Sequence, residues 1–267
     1  MKINLKYYIK KVSNFLKDLI VKYRSYLESS IRKFLINLGF EIYKSLRFYI
    51  LSYPRSGNHL LRFIIESLTG QPTLGGNDGK TQYNSIFSSD MPIYKKIDIP
   101  IKSRKPIGLK RHQLDNINET GFELDLILIL RNPLEAIVSH NILDLSKKFD
   151  TEIVQKEFEK YCKLLSVFAD SDKEKIIIYY SDLILKNKNA LITLKKFLNK
   201  YNTDLEDIND LNYELAFGSL KRHSQTTEAK KLLMSISKNN YLDLEKKFYE
   251  KIKNDFTFVN LDKLFNS

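Results

Sequence analysis

Three short, almost uninterrupted apolar runs constrain the fold of this chain more than any other feature. They read Phe-Tyr-Ile-Leu within 47–53, Leu-Ile-Leu-Ile-Leu within 125–130 and Ile-Ile-Ile-Tyr-Tyr within 175–180. Such runs are typical of strands buried on both faces, and segments with helical periodicity separate them. Strands that alternate with helices in this way form a parallel sheet covered on both sides. The sequence therefore predicts an α/β domain of three layers, with helices on both faces of a parallel sheet.

Helical periodicity and one irregular segment account for most of the remaining chain. The predicted helices span 60–68, 134–145, 151–169, 184–200, 226–237 and 242–254. Residues 70–106 are rich in Gly, Pro, Ser and Asn, and long loops of this kind commonly carry function. No Pro/Gly-rich linker divides the chain after residue 47. We therefore expect a helical extension over 1–46 and a single α/β domain over 47–267.

The extension over 1–46 is predicted to be a basic amphipathic helix. Its apolar stripe consists of Leu5, Tyr8, Val12, Phe15, Leu19, Tyr23 and Tyr26. Residues 1–47 hold 11 basic and 3 acidic side chains, a surplus of 8 out of the net charge of +12. Such a helix packs on its own domain, packs on a second subunit in a homodimer, or lies on an anionic membrane surface. Nucleic acid is not expected as a partner, because most of the surplus lies in this one helix.

The composition also argues against several other classes of protein. One cysteine and four scattered histidines provide neither a disulfide framework nor a cysteine-based metal site, so no metal is expected. No apolar stretch reaches the 18 or so residues of a membrane span, and the first residues lack the features of a signal peptide. We expect a soluble, cytoplasmic protein, with 1–46 as the part that would contact a membrane peripherally.

The first candidate site lies where the first apolar run ends. Residues 53–60 read Tyr-Pro-Arg-Ser-Gly-Asn-His-Leu and lead directly into a predicted helix. A helix N-terminus attracts anions, Gly57 allows close backbone approach, and the planar fork of Arg55 fits a phosphate or a sulfate. Ser56 and Asn58 add short polar side chains. The full phosphate-loop pattern GxxxxGK[ST] is absent, and an ordinary capped strand–turn–helix remains the alternative at this point.

The second candidate site follows the run at 125–130. Arg131 comes directly after this run, and ligands of open α/β sheets bind at that end of the strands. Pro133 suits the first turn of a helix, and Ser139 is predicted to lie two turns along it. An arginine and a hydroxyl would together hold a phosphate. Two anion sites at one sheet edge indicate a nucleotide that is phosphorylated at both ends.

These two segments resemble the sulfotransferase family. Residues 53–59, YPRSGNH, are similar to its 5′-phosphosulfate loop, YPKSGTTW, and 131–140, RNPLEAIVSH, are similar to its 3′-phosphate motif. The resemblance extends over about 47–260 and implies the parallel fold that sulfotransferases share with nucleotide kinases. It implies a sulfuryl donor, 3′-phosphoadenosine 5′-phosphosulfate (PAPS), and no metal. The implied donor contacts are Arg55, Ser56, Gly57, Asn58, His59, Leu60, Arg131, Ser139, Tyr180 and Phe217.

The last two of these contacts rest on shorter matches. Residues 179–183, Tyr-Tyr-Ser-Asp-Leu, resemble a Tyr-Glu-Asp-Leu segment of the family, which implies that Tyr180 contacts the adenine. Residues 217–221 resemble a Phe-x-x-Met-Lys segment, which implies that Phe217 stacks on the same base.

The resemblance also implies the catalytic residues. Residues 110–112, Lys-Arg-His, are similar to a Lys-Thr-His segment in which the histidine is the base. His112 would therefore take the acceptor proton, while Lys110 and Arg55 would stabilise the sulfuryl group and the leaving phosphate. If His112 is not the base, a carboxylate such as Glu66 or Asp78 is the alternative.

The sequence departs from the family pattern at several points. Arg55 stands where the family commonly has Lys, and Asn-His-Leu replaces Thr-Thr-Trp after Gly57. The family's C-terminal Arg-Lys-Gly loop is not recognisable, and the basic residues that could replace it are Arg222, Lys230 and Lys231.

Two other classes of function remain open beside a sulfotransferase. A nucleotide-dependent kinase uses the same strand–loop–helix logic, but no acidic Mg²⁺-binding pair follows a strand here. A basic protein that binds nucleic acid or membrane without catalysis would fit the net charge of +12. For a sulfotransferase the acceptor would be a hydroxyl or an amine, and the basic extension and the polar segment 70–106 favour a glycan or a lipid-linked glycan.

Overall fold

A computed structural model gives the fold of most of the chain beyond residue 44. It describes residues 45–75, 102–103, 105–112, 124–144, 150–202, 204–212 and 238–265. The predicted extension over 1–46 lies outside these residues except for its last two positions. The predicted helix over 226–237 lies wholly outside them. Within them, no helix is both long enough and apolar enough to cross a bilayer.

The core of the protein is a five-stranded parallel sheet. Its strands are β1 (Phe48–Ser52), β2 (Thr73–Leu74), β3 (Gly108–Arg111), β4 (Asp125–Leu130) and β5 (Lys175–Tyr179). Their order across the sheet is β2-β3-β1-β4-β5, and every neighbouring pair is parallel. The three predicted strands are confirmed as β1, β4 and β5, and β1 lies at the centre. The other two strands fall in or just after the segment that was predicted to be irregular.

Helices follow most of the strands. They are α1 (Asn58–Thr69), α2 (Pro133–Val138), α3 (Thr151–Asp170), α4 (Tyr180–Ile184), α5 (Lys188–Asn199), α6 (Lys238–Asp255) and α7 (Leu261–Phe265). The helix predicted over 134–145 changes character after α2, because Ser139–Asp144 form a π-helix. Single-turn π segments inside helices are frequent at functional sites.

The helices cover both faces of the sheet, which confirms the predicted three layers. Successive residues of a strand point to opposite faces. Accordingly Tyr49 and Leu51 of β1 belong to a buried cluster with residues of α2, α3 and α6, whereas Phe48 and Ile50 belong to a second cluster with residues of α1 and α5. All five residues of β1 are buried. A central strand with two apolar faces is therefore anchored from both sides.

The strand register brings the carboxyl ends of four strands to one edge of the sheet. Leu51 of β1 pairs with Arg111 of β3, Ser52 pairs with Ile129 of β4, and Leu130 pairs with Tyr179 of β5. The residues that come directly after these strands therefore emerge side by side. All of the candidate site segments that the structure describes begin at this edge.

Candidate functional site

The loop between β1 and α1 has an unusual backbone. Arg55 has a φ of 66° and Gly57 a φ of 93°, so both lie in the left-handed region. A residue with a side chain rarely adopts this conformation, which costs about 1–3 kcal/mol. The N–H of Ser56 donates to the Tyr53 carbonyl at 3.2 Å and closes a tight turn between them. The structure around the loop must hold Arg55 in place, and strain of this kind is concentrated at ligand sites.

The same loop buries polar atoms that lack partners among the described residues. Ser56 is 0% exposed and Asn58 is 5% exposed. Neither the Ser56 Oγ nor the Asn58 Oδ1 has a hydrogen bond partner there. Buried polar groups are nearly always paired, so an unpaired hydroxyl beside a helix N-terminus indicates a place for a ligand.

The N-terminus of α1 is itself suited to an anion. Gly57 is its N-cap and offers no side chain to the free backbone N–H groups, and its first turn contains no acidic residue. These N–H groups and the helix dipole favour negative charge at that point. His59 is half-buried on the first turn, whereas Leu60 lies in the core between α1 and the sheet. Leu60 therefore has only its backbone to offer a ligand.

Arg131 connects the first candidate site to the second. It is 6% exposed, and its Nη1 donates to the Arg55 carbonyl at 2.9 Å. Its Nε and Nη2 both donate to the Glu135 Oε2, at 3.2 and 3.0 Å. A guanidinium has five N–H groups, so the contacts with described residues leave two of them for a ligand. Arg131 thus holds the strained loop in place and still has donors to bind an anion.

Asn132, the next residue in sequence, determines the turn after Arg131. The Asn132 Oδ1 caps α2 by accepting from the N–H of Leu134 at 3.0 Å and that of Glu135 at 3.3 Å. This cap starts the helix immediately after β4 and places Glu135 one turn along it, within reach of Arg131. The Asn132 Nδ2 donates to the Glu245 Oε1 at 3.1 Å, and this hydrogen bond links α6 to the start of α2.

Tyr180 lies between the two candidate sites. Its ring centroid is 4.9 Å from the Arg131 Cζ, and a Cβ built on Gly57 would be 2.2 Å from the Tyr180 Cδ2. Burial raises the pKa of Tyr180, although the charge of Arg131 opposes this. The ring therefore packs against the loop backbone and the Arg131 guanidinium. Whether it also contacts an adenine stays a prediction.

Ser139 and a neighbour that the sequence analysis missed lie in the turn that follows α2. Ser139 begins the π-helix and is 4% exposed. Asn141 is 3% exposed, and its Nδ2 donates to the Ile137 carbonyl at 3.1 Å. Its Oδ1 has no hydrogen bond partner among the described residues. A polar residue inside a predicted apolar helix was the only sequence signal that could have identified Asn141.

His112 lies beside the first loop, as the order of the strands requires. It is the first residue after β3, and its Nδ1 is 2.7 Å from the Ser52 carbonyl oxygen and 3.1 Å from the Ser52 Oγ. Ser52 in turn ends β1 directly before the loop. Lys110 and Arg111 are 4% and 8% exposed at the end of β3. The structure therefore brings the predicted base and the predicted anion loop to adjacent strand ends.

Of the two carboxylates named as alternatives to His112, the structure describes Glu66 but not Asp78. The Glu66 Oε1 accepts from the Thr73 N–H at 3.0 Å and from the Thr73 hydroxyl, and Glu66 is fully buried. Thr73 pairs with Gly108, the first residue of β3, so this carboxylate lies at the opposite end of the sheet from the loop. Glu66 is therefore excluded as the alternative base, and Asp78 lies outside the described residues.

The remaining predicted site residues lie outside the part of the chain that the structure describes. They are Phe217, Arg222, Lys230 and Lys231. Within the described ranges, no three His, Cys, Asp or Glu side chains are grouped in a way that could hold a metal ion.

Comparisons with known proteins give similarity to solved structures. No protein-family model and no curated protein matches the sequence. Among solved structures, the chain is similar to mouse sulfotransferase SULT7A1, determined in complex with PAP, with a TM-score of 0.44 and 16% sequence identity. The match covers 66% of this chain and 65% of that one, so this chain spans just under two thirds of the mouse protein. Similarity at this level transfers no residue role to this chain.

Proposed function

We propose that this protein is a PAPS-dependent sulfotransferase, an enzyme that moves a sulfuryl group to a hydroxyl or an amine of its acceptor (EC 2.8.2 type). The observation that carries the proposal is the hydrogen bond from the Arg131 Nη1 to the Arg55 carbonyl, 2.9 Å long. It joins the two candidate anion-binding elements at one sheet edge, and a nucleotide phosphorylated at both ends would occupy two such neighbouring elements. PAP, the product left after transfer, has this pattern of phosphates.

The residues of the loop fit the 5′ end of such a donor. The Ser56 hydroxyl is buried without a partner among the described residues, and the N-terminus of α1 directs backbone N–H groups to the same place. Arg55 lies within the turn and adds a permanent positive charge that cannot act as an acid. These groups would bind the 5′-phosphosulfate and stabilise the negative charge that develops when the phosphate leaves.

Arg131 and Ser139 fit the 3′-phosphate. Two N–H groups of Arg131 remain after its contacts with Glu135 and Arg55, and Ser139 is buried at the start of the π-helix. Glu135 lies against this position with its own negative charge. Because Glu135 already occupies one side of the guanidinium, a phosphate would bind Arg131 from the other side.

The chemistry needs one base and several positioned charges. Bound PAPS would supply the sulfuryl group: a bond forms between its sulfur and the acceptor oxygen or nitrogen, and the bond to the 5′-phosphate oxygen breaks, leaving the electron pair on PAP. His112 would take the proton of the attacking acceptor group, because an imidazole is ordinarily a base near neutral pH. Lys110 and Arg55 would stabilise the charge on the transferred group. Most of the rate enhancement would come from positioning and electrostatics.

The acceptor and the site of action are part of the proposal. The basic segment 1–46 would bring the enzyme to an anionic membrane surface, where each Lys or Arg near the surface contributes about 1 kcal/mol. An enzyme held there would meet a glycan or a lipid-linked glycan. A panel of such acceptors, assayed with sulfur-labelled PAPS beside simple phenols, identifies the class by the product that gains the label.

Binding of PAP to an arginine variant tests the donor site. Arg131→Ala should weaken PAP binding by about 1.5–3 kcal/mol, roughly a 10- to 100-fold rise in Kd, because charge-assisted hydrogen bonds are lost. Lys156→Ala is the matched control, since Lys156 is exposed on α3 and its loss removes the same charge. Calorimetry should give the control the affinity of the unaltered protein. Equal affinities for all three proteins would remove Arg131 from the site.

A further inference from the structure

The side chain of His112, the residue after β3, contacts Ser52, the last residue of β1. Leu51 pairs with Arg111 across these two strands, so Ser52 and His112 occupy the next step of the register. Ser52 is fully buried and also pairs with Ile129 on its other side, which fixes its backbone in the centre of the sheet. The imidazole of His112 therefore contacts a buried strand end that is paired with β4 on its other side.

The chemistry of this contact determines where the ring carries its hydrogen. The His112 Nδ1 is 2.7 Å from the Ser52 carbonyl oxygen, and a carbonyl oxygen only accepts hydrogen bonds. The hydrogen must therefore be on Nδ1. A neutral imidazole has one N–H, so its lone pair is on Nε2. The Ser52 Oγ, 3.1 Å from the same nitrogen, can accept a share of the same N–H.

We infer that Ser52 is a positioning residue, which fixes His112 in the Nδ1–H tautomer and thereby makes Nε2 the atom that accepts a proton. The inference rests on the proposed function in one respect, namely that the proton comes from the acceptor of a sulfuryl group. When Nε2 is protonated, the Nδ1–H bond to Ser52 becomes charge-assisted and stronger. Ser52 would thus orient the base before the reaction and stabilise the imidazolium that forms.

Nitrogen NMR of the full chain tests the tautomer directly. The chain has four histidines, and His112→Asn identifies the signals of His112 by their loss. Above the pKa of the ring, we expect Nδ1 to show the chemical shift of a protonated nitrogen and Nε2 that of an unprotonated one. The opposite assignment, or an even mixture of the two tautomers, overturns the inference. The measurement needs neither donor nor acceptor.

Two variants of Ser52 test the role of its hydroxyl. Ser52→Ala keeps the carbonyl but removes the Oγ, so the imidazolium loses a partner and the pKa of His112 should fall by about 0.5 pH units. Ser52→Thr keeps a hydroxyl and should restore the original value. Lys110 and Arg111 directly precede His112 in sequence, and Arg55 comes three residues after Ser52. These cationic residues are present in both variants, so the difference isolates the Ser52 side chain. An unchanged pKa in Ser52→Ala contradicts a role for the hydroxyl.

Activity measurements separate this inference from the proposed function. In an active enzyme, the acidic limb of the kcat/KM profile should move in Ser52→Ala by the same amount as the pKa from NMR. Sulfuryl transfer by a protein whose His112 is the Nε2–H tautomer would overturn the inference and leave the proposed function intact. A protein with the Nδ1–H tautomer that does not bind PAP would contradict the proposed function, while the contact between Ser52 and His112 would stand.

Discussion

Replacement of Gly57 by alanine probes the packing that holds the loop, and two separate costs add at this position. The φ of 93° belongs to the left-handed region, where a Cβ costs about 1–2 kcal/mol. The added Cβ would also be 2.2 Å from the Tyr180 Cδ2 and 2.7 Å from its Cε2. Overpacking of this kind costs about 1–3 kcal/mol. Gly57→Ala should therefore destabilise the protein by roughly 2–5 kcal/mol.

Gly70 offers a matched control for this substitution. It too has a positive φ, 61°, but a Cβ there would meet the side chain of Lys102, at 2.7 Å from its Cγ. The Lys102 side chain is 42% exposed, so its Cγ can rotate away, but its Cβ would lie 3.0 Å from the added atom and is held near Gly70 by the 2.8 Å hydrogen bond from the Lys102 N–H to the Gly70 carbonyl. Gly70→Ala should therefore cost the backbone part and a smaller steric part than Gly57→Ala, about 1–3 kcal/mol in all.

Thermal unfolding and PAP calorimetry distinguish the two variants. At about 2–4 °C per kcal/mol for a domain of this size, Gly57→Ala should lower the Tm by roughly 4–20 °C and Gly70→Ala by roughly 2–12 °C. Only Gly57→Ala should also weaken PAP binding. In the background of Tyr180→Ala the overlap disappears, so the cost of Gly57→Ala should fall to the backbone part alone, about 1–2 kcal/mol. If Tyr180→Ala leaves the cost of Gly57→Ala unchanged, Tyr180 does not pack on the loop as described.

Three further predictions concern charge and the segment that the structure does not describe. Burial alone would raise the pKa of Glu157, but hydrogen bonds from Lys160 and Tyr53 outweigh it and hold that pKa below its ordinary value. The resulting stabilisation is fully present above the unfolded pKa of about 4.3 and is lost as the pH falls through the folded pKa. The difference in Tm between the unaltered protein and Glu157→Gln should therefore narrow between pH 7 and pH 3. A difference that stays constant over this range would contradict the prediction. Removal of 1–43 should abolish cosedimentation with anionic vesicles but preserve PAP binding, and vesicle binding that is unchanged by the removal would exclude the membrane role. Glu135→Gln should tighten PAP binding in calorimetry, because it removes a negative charge beside the proposed phosphate position. The amide oxygen of the glutamine can still accept a hydrogen bond from Arg131. Weaker PAP binding would instead mean that the ion pair is needed to orient the guanidinium.

The strands illustrate how far the sequence predicts the fold. β1, β4 and β5 were predicted because they are apolar on both faces and lie between two layers of helices. β3 was missed because it ends in Lys110 and Arg111, which hydropathy assigns to the surface although both are buried. Their burial follows from the position of β3 beside β1, and the sequence of β3 alone does not contain that information. β2 has only two residues, too few for any periodicity.

Contacts within the site also divide into local ones, which the sequence predicts, and contacts between distant residues, which it does not. The two segments that are proposed to bind anions are local motifs, each a strand end followed by a helix start, and the structure has these strand ends and helix starts close to the predicted positions. The pairing of Arg131 with Glu135 is also local, since the two residues are one helical turn apart. The contact of Tyr180 with Gly57 and that of Ser52 with His112 join residues far apart in the chain, so they depend on the order of the strands. Glu66 was mistaken for an alternative base because its partner, Thr73, lies on a strand that was not predicted.

Nucleotide selectivity in calorimetry tests the central claim, that the site holds a nucleotide phosphorylated at both ends. PAP and adenosine 5′-phosphate differ only in the 3′-phosphate, which Arg131 and Ser139 are proposed to bind. Loss of one charge-assisted contact costs about 1.5–3 kcal/mol, so PAP should bind roughly 10- to 100-fold more tightly, and Arg131→Ala should remove most of this preference. Equal affinity for the two nucleotides, or a preference for ATP with Mg²⁺ over PAP, would contradict the account.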